Sequence, residues 1–398
     1  MSLLRIDLRQ SRLIPFVAIA LLMTKMTFAF FAMEMFMASY AAQAGMLLAF
    51  VIGLLLVIRD KTLHTYDLLV FGFVLLLEAI TLLNGNDWKN WFYTGLTIST
   101  YLFLFNYYHE KYHVILLGIL FVLSVAIYCQ LGQCILHPEK WMVSDDKELG
   151  KYLLGGNYNQ MGIRMIIALV IGIWSTRFGK WLKVNLAMLI ICCFAILFMV
   201  RSMTSLSCMF LFLFFCVIRN RKLLGLGLTV LFVCAILFEV IVCFSGTGLQ
   251  NNELASWFIK DVLGKDMTFT GRTYMWDAAL HVIAKSPLWG NGFVDTDWYM
   301  ANMTTLAIGA HNYILNTMVY GGITLVTIYL IMVISSIWHL VNLKDINSMR
   351  LLAAFGVLTI MMLFEVYETS LVFLLLTIMY YYPSEKSLET VAANEREQ

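Results

Sequence analysis

The sequence predicts an all-α, polytopic membrane protein with about twelve transmembrane helices and a large folded loop on its outer face. Three observations lead there. The 398 residues are 61% hydrophobic and 13% charged, with a mean hydropathy of +0.80, whereas soluble domains are roughly 45–50% apolar and about 25% charged. A soluble globule has no way to hide that much apolar surface, so lipid must be the solvent for most of the chain. Apolar runs near the ~20 residues that a span requires recur between charged clusters. Lysine and arginine are distributed unevenly between the two sets of connecting segments.

The runs fall near 13–34, 39–58, 66–84, 91–108, 113–132, 161–176, 184–200, 202–218, 223–244, 311–338, 350–366 and 369–382. Together they read as one membrane domain over 1–398. The tenth is long, with a tilt or break expected at Gly321-Gly322; the twelfth is short and weak. One side holds Arg5, Arg9, Arg12, Arg59, Lys61, Lys111, Arg177, Lys180, Lys183, Arg219, Arg221, Lys222, Lys344 and Arg350, with Lys386 and Arg396 in the tail. The other holds Lys89, Lys140, Lys147, Lys151, Lys260, Lys265, Arg272 and Lys285, most of them in two long loops where charge counts least. The bias puts both termini in the cytoplasm. Met1 to Arg12 is basic, but the apolar run that follows is too long for a cleaved signal and lacks a small-residue cleavage site.

Residues 133–160 and 245–310 are too long to be mere connectors. The second contains Trp257, Phe258, Trp276, Trp289, Phe293 and Trp298, so its composition is that of a folded cap. Within it, 272–285 reads as an amphipathic helix with Met275, Trp276, Ala279, Leu280 and Ile283 on one face, ended by Ser286-Pro287. Gly290 and Gly292 mark turns. No sequence repeat is visible, which disfavours transporters built from repeats. A net charge of +2 without a basic run gives no reason to expect a nucleic-acid partner. Most cysteines sit inside apolar runs and read as small hydrophobes; the spacing of Cys129 and Cys134 matches no disulfide framework.

The strongest chemical constellation is Gly271-Arg272-Thr273-Tyr274-Met275-Trp276, then Ser286-Pro287-Leu288-Trp289-Gly290-Asn291-Gly292, then His311-Asn312-Tyr313, then Gly322. Arg272 offers a planar fork suited to a pair of phosphate oxygens. His311 is placed where the outer loop enters a membrane helix, and the positive end of a helix disfavours an imidazolium, leaving an imidazole able to accept a proton. An interfacial histidine and a solvated loop arginine would produce the same pattern.

These motifs, their order, and the large loop between the ninth and tenth spans resemble the O-antigen polymerase and O-antigen ligase family, the Wzy and WaaL type. The motif region is 272–322; the rest of the chain resembles the family in architecture only, which implies a GT-C-like membrane fold. The resemblance implies transfer of a glycan from undecaprenyl diphosphate to an acceptor outside a bacterial cytoplasmic membrane, with no cofactor. Carried over residue by residue, it makes His311 the catalytic base and Arg272 a ligand of the diphosphate. Arg201, in the turn between the seventh and eighth spans, stands where the family often has a Ser-Arg pair; here the order is Arg201-Ser202. Arg164 follows a Gly-Asn-rich turn that is also similar to the family. With Asn312 and Tyr313, these residues make up the expected substrate-binding set. Simple anchoring at lipid head groups would explain both Arg201 and Arg164 as well.

Other signals are weaker. Asp295-Thr296-Asp297 resembles the Asp-x-Asp of metal-dependent glycosyltransferases, but no third ligand is evident, so no metal is expected. Lys25, Glu78 and Glu239 lie within spans, where charge is costly; Lys25 and Glu78, at similar depth, are expected to pair. Glu365 and Glu368 stand near the outer face, where they would line an acceptor groove. The combined expectation is a polysaccharide polymerase that takes a lipid-linked donor and acceptor, in contact with membrane lipids and with other polysaccharide-assembly proteins. A ligase to a lipid or wall anchor is the alternative within the class, and a flippase or transporter of the same lipid-linked sugars is the alternative outside it.

Overall fold

The computed structural model describes residues 11–34, 36–60, 62–137, 152–154, 158–245, 271–305, 307 and 309–383, without the side chains of 25 and 28–43. Regular structure among the described residues is helical throughout, with no strand. A backbone in hydrocarbon has no water to bond to, and the helix satisfies its amides and carbonyls internally.

Nine helices precede the cap: α1 (Leu13–Glu34), α2 (Phe36–Asp60), α3 (Thr65–Leu83), α4 (Trp88–Tyr107), α5 (Tyr112–Leu136), α6 (Met161–Ser175), α7 (Lys180–Met199), α8 (Met203–Val217) and α9 (Arg221–Ile241). Then come α10 (Arg272–Lys285), α11 (Thr296–Asn302), α12 (Tyr313–Leu343), α13 (Ile346–Met362) and α14 (Thr369–Tyr380). A helix therefore stands at each of the twelve apolar runs. Six helical segments are long and apolar enough to cross a membrane: Thr65–Leu83, His109–Leu136, Tyr158–Phe178, Lys180–Met199, Arg221–Ser245 and Tyr313–Leu343. Shorter apolar helices include Met203–Val217, Ile346–Met362 and Thr369–Tyr380.

The short α14 is the centre of the bundle. Every residue from Ser370 to Met379 is buried, against α12, α4, α13 and α6. Tyr101 and Tyr112 donate hydroxyl hydrogen bonds to its Ser370 and Ile378 carbonyls, each 2.9 Å. A helix wrapped by protein has no need of a full bilayer-length apolar run, which is why its sequence signal is weak. α7 and α9 instead leave Ile191, Val230, Val233 and Leu237 exposed, as lipid-facing helices should.

α12 is broken. Gly321 (φ −139°) and Gly322 (φ 60°, ψ −162°) leave helical geometry, at the place expected. The segment 323–343 that follows rises about 31 Å, the thickness of a hydrocarbon core. The first segment, 313–320, belongs with the cap. Into the break fits the turn 286–292: Ile323 N–H donates to the Pro287 carbonyl (2.8 Å), and Asn291 and Gly292 N–H donate to Val319 and Tyr320 (2.9 and 2.7 Å). A Cβ on Gly290 or Gly322 would collide with the backbone facing it. The turn is also tied to α3, through Phe293 N–H to Thr81 Oγ1 (2.8 Å). Trp276, Ala279, Val282 and Ile283 of α10 form a second apolar cluster with Val294, Tyr299, Leu315 and Val319. The amphipathic reading of 272–285 therefore holds, and Ser286 ends the helix.

Residues 246–270 of the expected cap, including Trp257 and Phe258, lie outside the described residues, as do 138–151 and 155–157 of the other long loop. The expected Lys25–Glu78 pair also lies outside them, since the Lys25 side chain is not described. Arg177, Arg221 and Arg350 bond carbonyls at the end of the bundle opposite the cap, in keeping with the charge asymmetry of the sequence.

Candidate functional site

The site forms where the cap meets the short connection between α13 and α14, residues 363–368. α13 ends at Met362, earlier than the apolar run suggests, so Glu365 and Glu368 lie in this connection and not at the end of a span. His311, Asn312, Arg272 and Arg164 reach it.

Asn312 is the N-cap of α12. Its Oδ1 accepts from Leu315 N–H (2.8 Å), and its Nδ2 donates to Glu239 Oε2 on α9 (2.8 Å) and to the Leu363 carbonyl (3.3 Å). One buried amide thus fixes the start of α12 against α9 and the 363–368 connection, and Glu239 gains a partner the sequence did not reveal. His311 precedes this cap and so stands before the helix, not in its first turn. Its φ of 48° is unusual for a residue with a side chain and costs about 1–2 kcal/mol. The neighbouring cap and the Trp276 Nε1 bond to its carbonyl (3.5 Å) hold it there. The imidazole Nδ1 stands 3.4 Å from Glu365 Oε1, with the two side chains 22% and 12% exposed.

Arg272 opens α10 after Gly271 in the left-handed region. A cation at a helix N-terminus is on the unfavourable end of the dipole, so helix stability does not explain it. Its Nε donates to the Phe364 carbonyl (2.9 Å), which points the fork toward Tyr367. Burial pushes the Tyr367 hydroxyl well above the usual tyrosine range, with nearby Glu365 adding to the rise, and it shares a hydrogen bond with Ser205. Ser205 Oγ lies 3.2 Å from Ser202 Oγ, beside Arg201. Arg201 occupies the α7–α8 turn with φ 56°; it is exposed and, among the described residues, has no side-chain partner.

Arg164 is different. Its side chain is 4% exposed, and Nη2 meets Glu368 Oε2 at 2.7 Å. Nη2 also meets the Met26 carbonyl (3.0 Å), and Nη1 the Gln160 carbonyl (3.2 Å). With Gln160 Nε2 on the Val366 carbonyl (2.6 Å) and Asn159 Nδ2 on Glu365 Oε2 (2.9 Å), it fastens the start of α6 to the 363–368 connection. Tyr313 is buried with its ring 5.5 Å from that of Tyr329, beneath the site. Asp295 caps α11 by accepting from Trp298 N–H (2.9 Å), and the described residues contain no group of three metal-ligating side chains.

The structure thus brings together His311, Asn312, Arg272 and, through Ser202 and Ser205, the Arg201 turn. It draws Arg164 into an internal ion pair. Asn159, Gln160, Ser205 and Tyr367 were not singled out from sequence; only the Gly-Asn-rich turn before α6 hinted at the first two.

A polytopic helical membrane protein with arginine and histidine gathered over one short connection at an end of its bundle is the class this arrangement defines. Within that class, residues 186–330 match the family described as O-antigen ligase, which bears out the resemblance read from the motifs and supports O-antigen ligase or polymerase function in general. The matched stretch contains Arg201, Arg272, His311, Asn312, Tyr313 and Gly322, and leaves Arg164, Glu365 and Glu368 outside. No curated protein matches the chain.

Proposed function

We propose that the chain is a polysaccharide polymerase of a bacterial cytoplasmic membrane. It takes glycan from undecaprenyl diphosphate and transfers it to an acceptor repeat unit on the outer face. In this reading about twelve helices span the bilayer, both termini are cytoplasmic, and 245–310 forms the outer cap. The observation that carries it is the meeting of a clamped histidine with the Arg272 guanidinium over one short connection.

The acceptor hydroxyl attacks C1 of the donor sugar and gives its proton to His311. The C1–oxygen bond to the diphosphate breaks on the opposite face, so the anomeric centre inverts and undecaprenyl diphosphate leaves. Negative charge grows on the leaving oxygen. Arg272, anchored through its Nε, and Arg201 from the exposed turn stabilise it as charge-assisted donors, in the role a metal fills elsewhere. Arg164, held by Glu368, positions the floor of the site. The lipid tail lies between helices.

Reconstitution of the full chain in proteoliposomes with purified lipid-linked repeat unit tests this. Ladders of longer lipid-linked chains support the polymerase. Transfer only to an added lipid or wall anchor makes the protein a ligase, and movement of the donor across the bilayer without a new bond makes it a flippase.

A further inference from the structure

We propose that Glu365 is the positioning residue for His311. Its carboxylate holds Nδ1–H and leaves Nε2 facing the acceptor, the two side chains acting as one unit. The inference rests on His311 as the base, and goes beyond it by assigning a second residue from outside the stretch matched to the family.

A neutral imidazole carries its proton on either nitrogen, and only one tautomer presents a lone pair to the substrate. A carboxylate facing one ring nitrogen selects the tautomer, fixes the ring plane, and stabilises the imidazolium that forms when a proton is accepted. The 3.4 Å from His311 Nδ1 to Glu365 Oε1 is long for a hydrogen bond, and Nδ1 is buried without another partner. Catalytic hydrogen bonds often tighten only when substrate arrives.

Glu365 is itself held. Asn159 Nδ2 donates to Oε2 (2.9 Å), and the Val366 N–H donates to Oε1 (3.2 Å). The histidine is fixed from its backbone, through the left-handed φ, the Asn312 cap and the Trp276 bond. Two rigid mounts facing one another across 3.4 Å are the arrangement that orientation requires. A non-glycine residue in the left-handed region needs its surroundings to hold it there, and here they do.

The other charged groups around the imidazole have separate engagements. Glu239 bonds Asn312, Glu368 pairs with Arg164, and Arg272 bonds the Phe364 carbonyl; Arg201 lies in the exposed α7–α8 turn. Glu365 is therefore the carboxylate in direct reach of the ring.

The test is a double-variant cycle on the full chain in proteoliposomes with lipid-linked repeat unit. Glu365→Gln keeps the side-chain shape and an oxygen for Asn159. It should lower kcat about 10- to 100-fold, leave KM for the donor within about twofold, and move the acidic limb of the pH–rate profile to lower pH. His311→Ala combined with Glu365→Gln should lose no more than His311→Ala alone, because a unit is broken once. A readout free of turnover is the rate at which diethyl pyrocarbonate modifies His311, followed against pH by mass spectrometry. In Glu365→Gln that curve should shift in the same direction as the pH–rate profile. Multiplicative losses in the double variant, or an unmoved modification curve, overturn the inference. Retained turnover in His311→Ala overturns the base assignment itself, which keeps the two failures distinguishable.

Discussion

Gly322→Ala should unlatch the cap from the membrane bundle. At φ 60° and ψ −162° any Cβ is strained, and the one added here would overlap the Leu288 carbonyl and come within 2.6 Å of the Pro287 oxygen. Neither neighbour is a flexible side-chain tip, so the turn itself must move. A side chain in this essentially glycine-only region of φ and ψ costs at least about 1–2 kcal/mol. Displacing the turn endangers the bonds from Ile323 to Pro287, Asn291 to Val319 and Gly292 to Tyr320, each contributing about 1 kcal/mol. The sum is about 4–5 kcal/mol, large against typical domain stabilities. Thermal unfolding of the detergent-solubilised chain should show a clear fall in Tm, and limited proteolysis should open the 286–292 turn. Gly72→Ala, where a Cβ meets nothing within 4 Å, is the control and should behave as wild type. Wild-type Tm and wild-type protease resistance in Gly322→Ala would refute the latch.

Three further expectations concern the charged residues. Arg272→Lys keeps the charge but loses the planar fork, and should weaken binding of an undecaprenyl diphosphate analogue by about 10-fold or more, while Arg201→Lys, in an exposed turn, should be milder; equal tolerance would argue that neither holds a phosphate pair. Arg164→Met should reduce thermal stability by about 1–3 kcal/mol, since it removes the bonds to Glu368 and to the Met26 and Gln160 carbonyls while Glu368 keeps Ser370 and solvent, and an unchanged Tm would contradict the internal role given to this arginine. Activity of the purified chain should survive EDTA and persist in Asp295→Asn, whose side chain still accepts at the cap; loss restored by magnesium or manganese would return Asp295 and Asp297 to the chemistry.

Much of this was legible in the sequence because lipid imposes simple rules. A helix stands at each of the twelve apolar runs, six of the helical segments being long and apolar enough to cross a membrane, and the doubled glycine at 321–322 marked the break in α12. The aromatic face of 272–285 marked a helix with its own core. What escaped was set by tertiary contact between distant segments. Glu239 read as an isolated membrane charge, yet its partner Asn312 lies far along the chain. The pairing of Arg164 with Glu368 was not visible either, because it depends on how α6 meets the α13–α14 connection. Glu365 was assigned to the end of a span; its position facing His311 follows from α13 stopping at Met362. The sequence put His311 inside the helix, because nothing local showed that Asn312 would take the cap.

Turnover of His311 variants tests the central claim most directly. In proteoliposomes supplied with lipid-linked repeat unit, His311→Ala and His311→Gln should each lower turnover by about 10²–10⁴-fold, the usual scale for loss of a general base. Expression and affinity for the donor analogue should stay near wild type, since the side chain lies ahead of α12 and contributes nothing to its capping. An amide can hydrogen-bond but cannot take a proton usefully, so glutamine should not rescue. Near-normal chain lengthening in His311→Gln would contradict the account and reduce His311 to a residue that positions the acceptor.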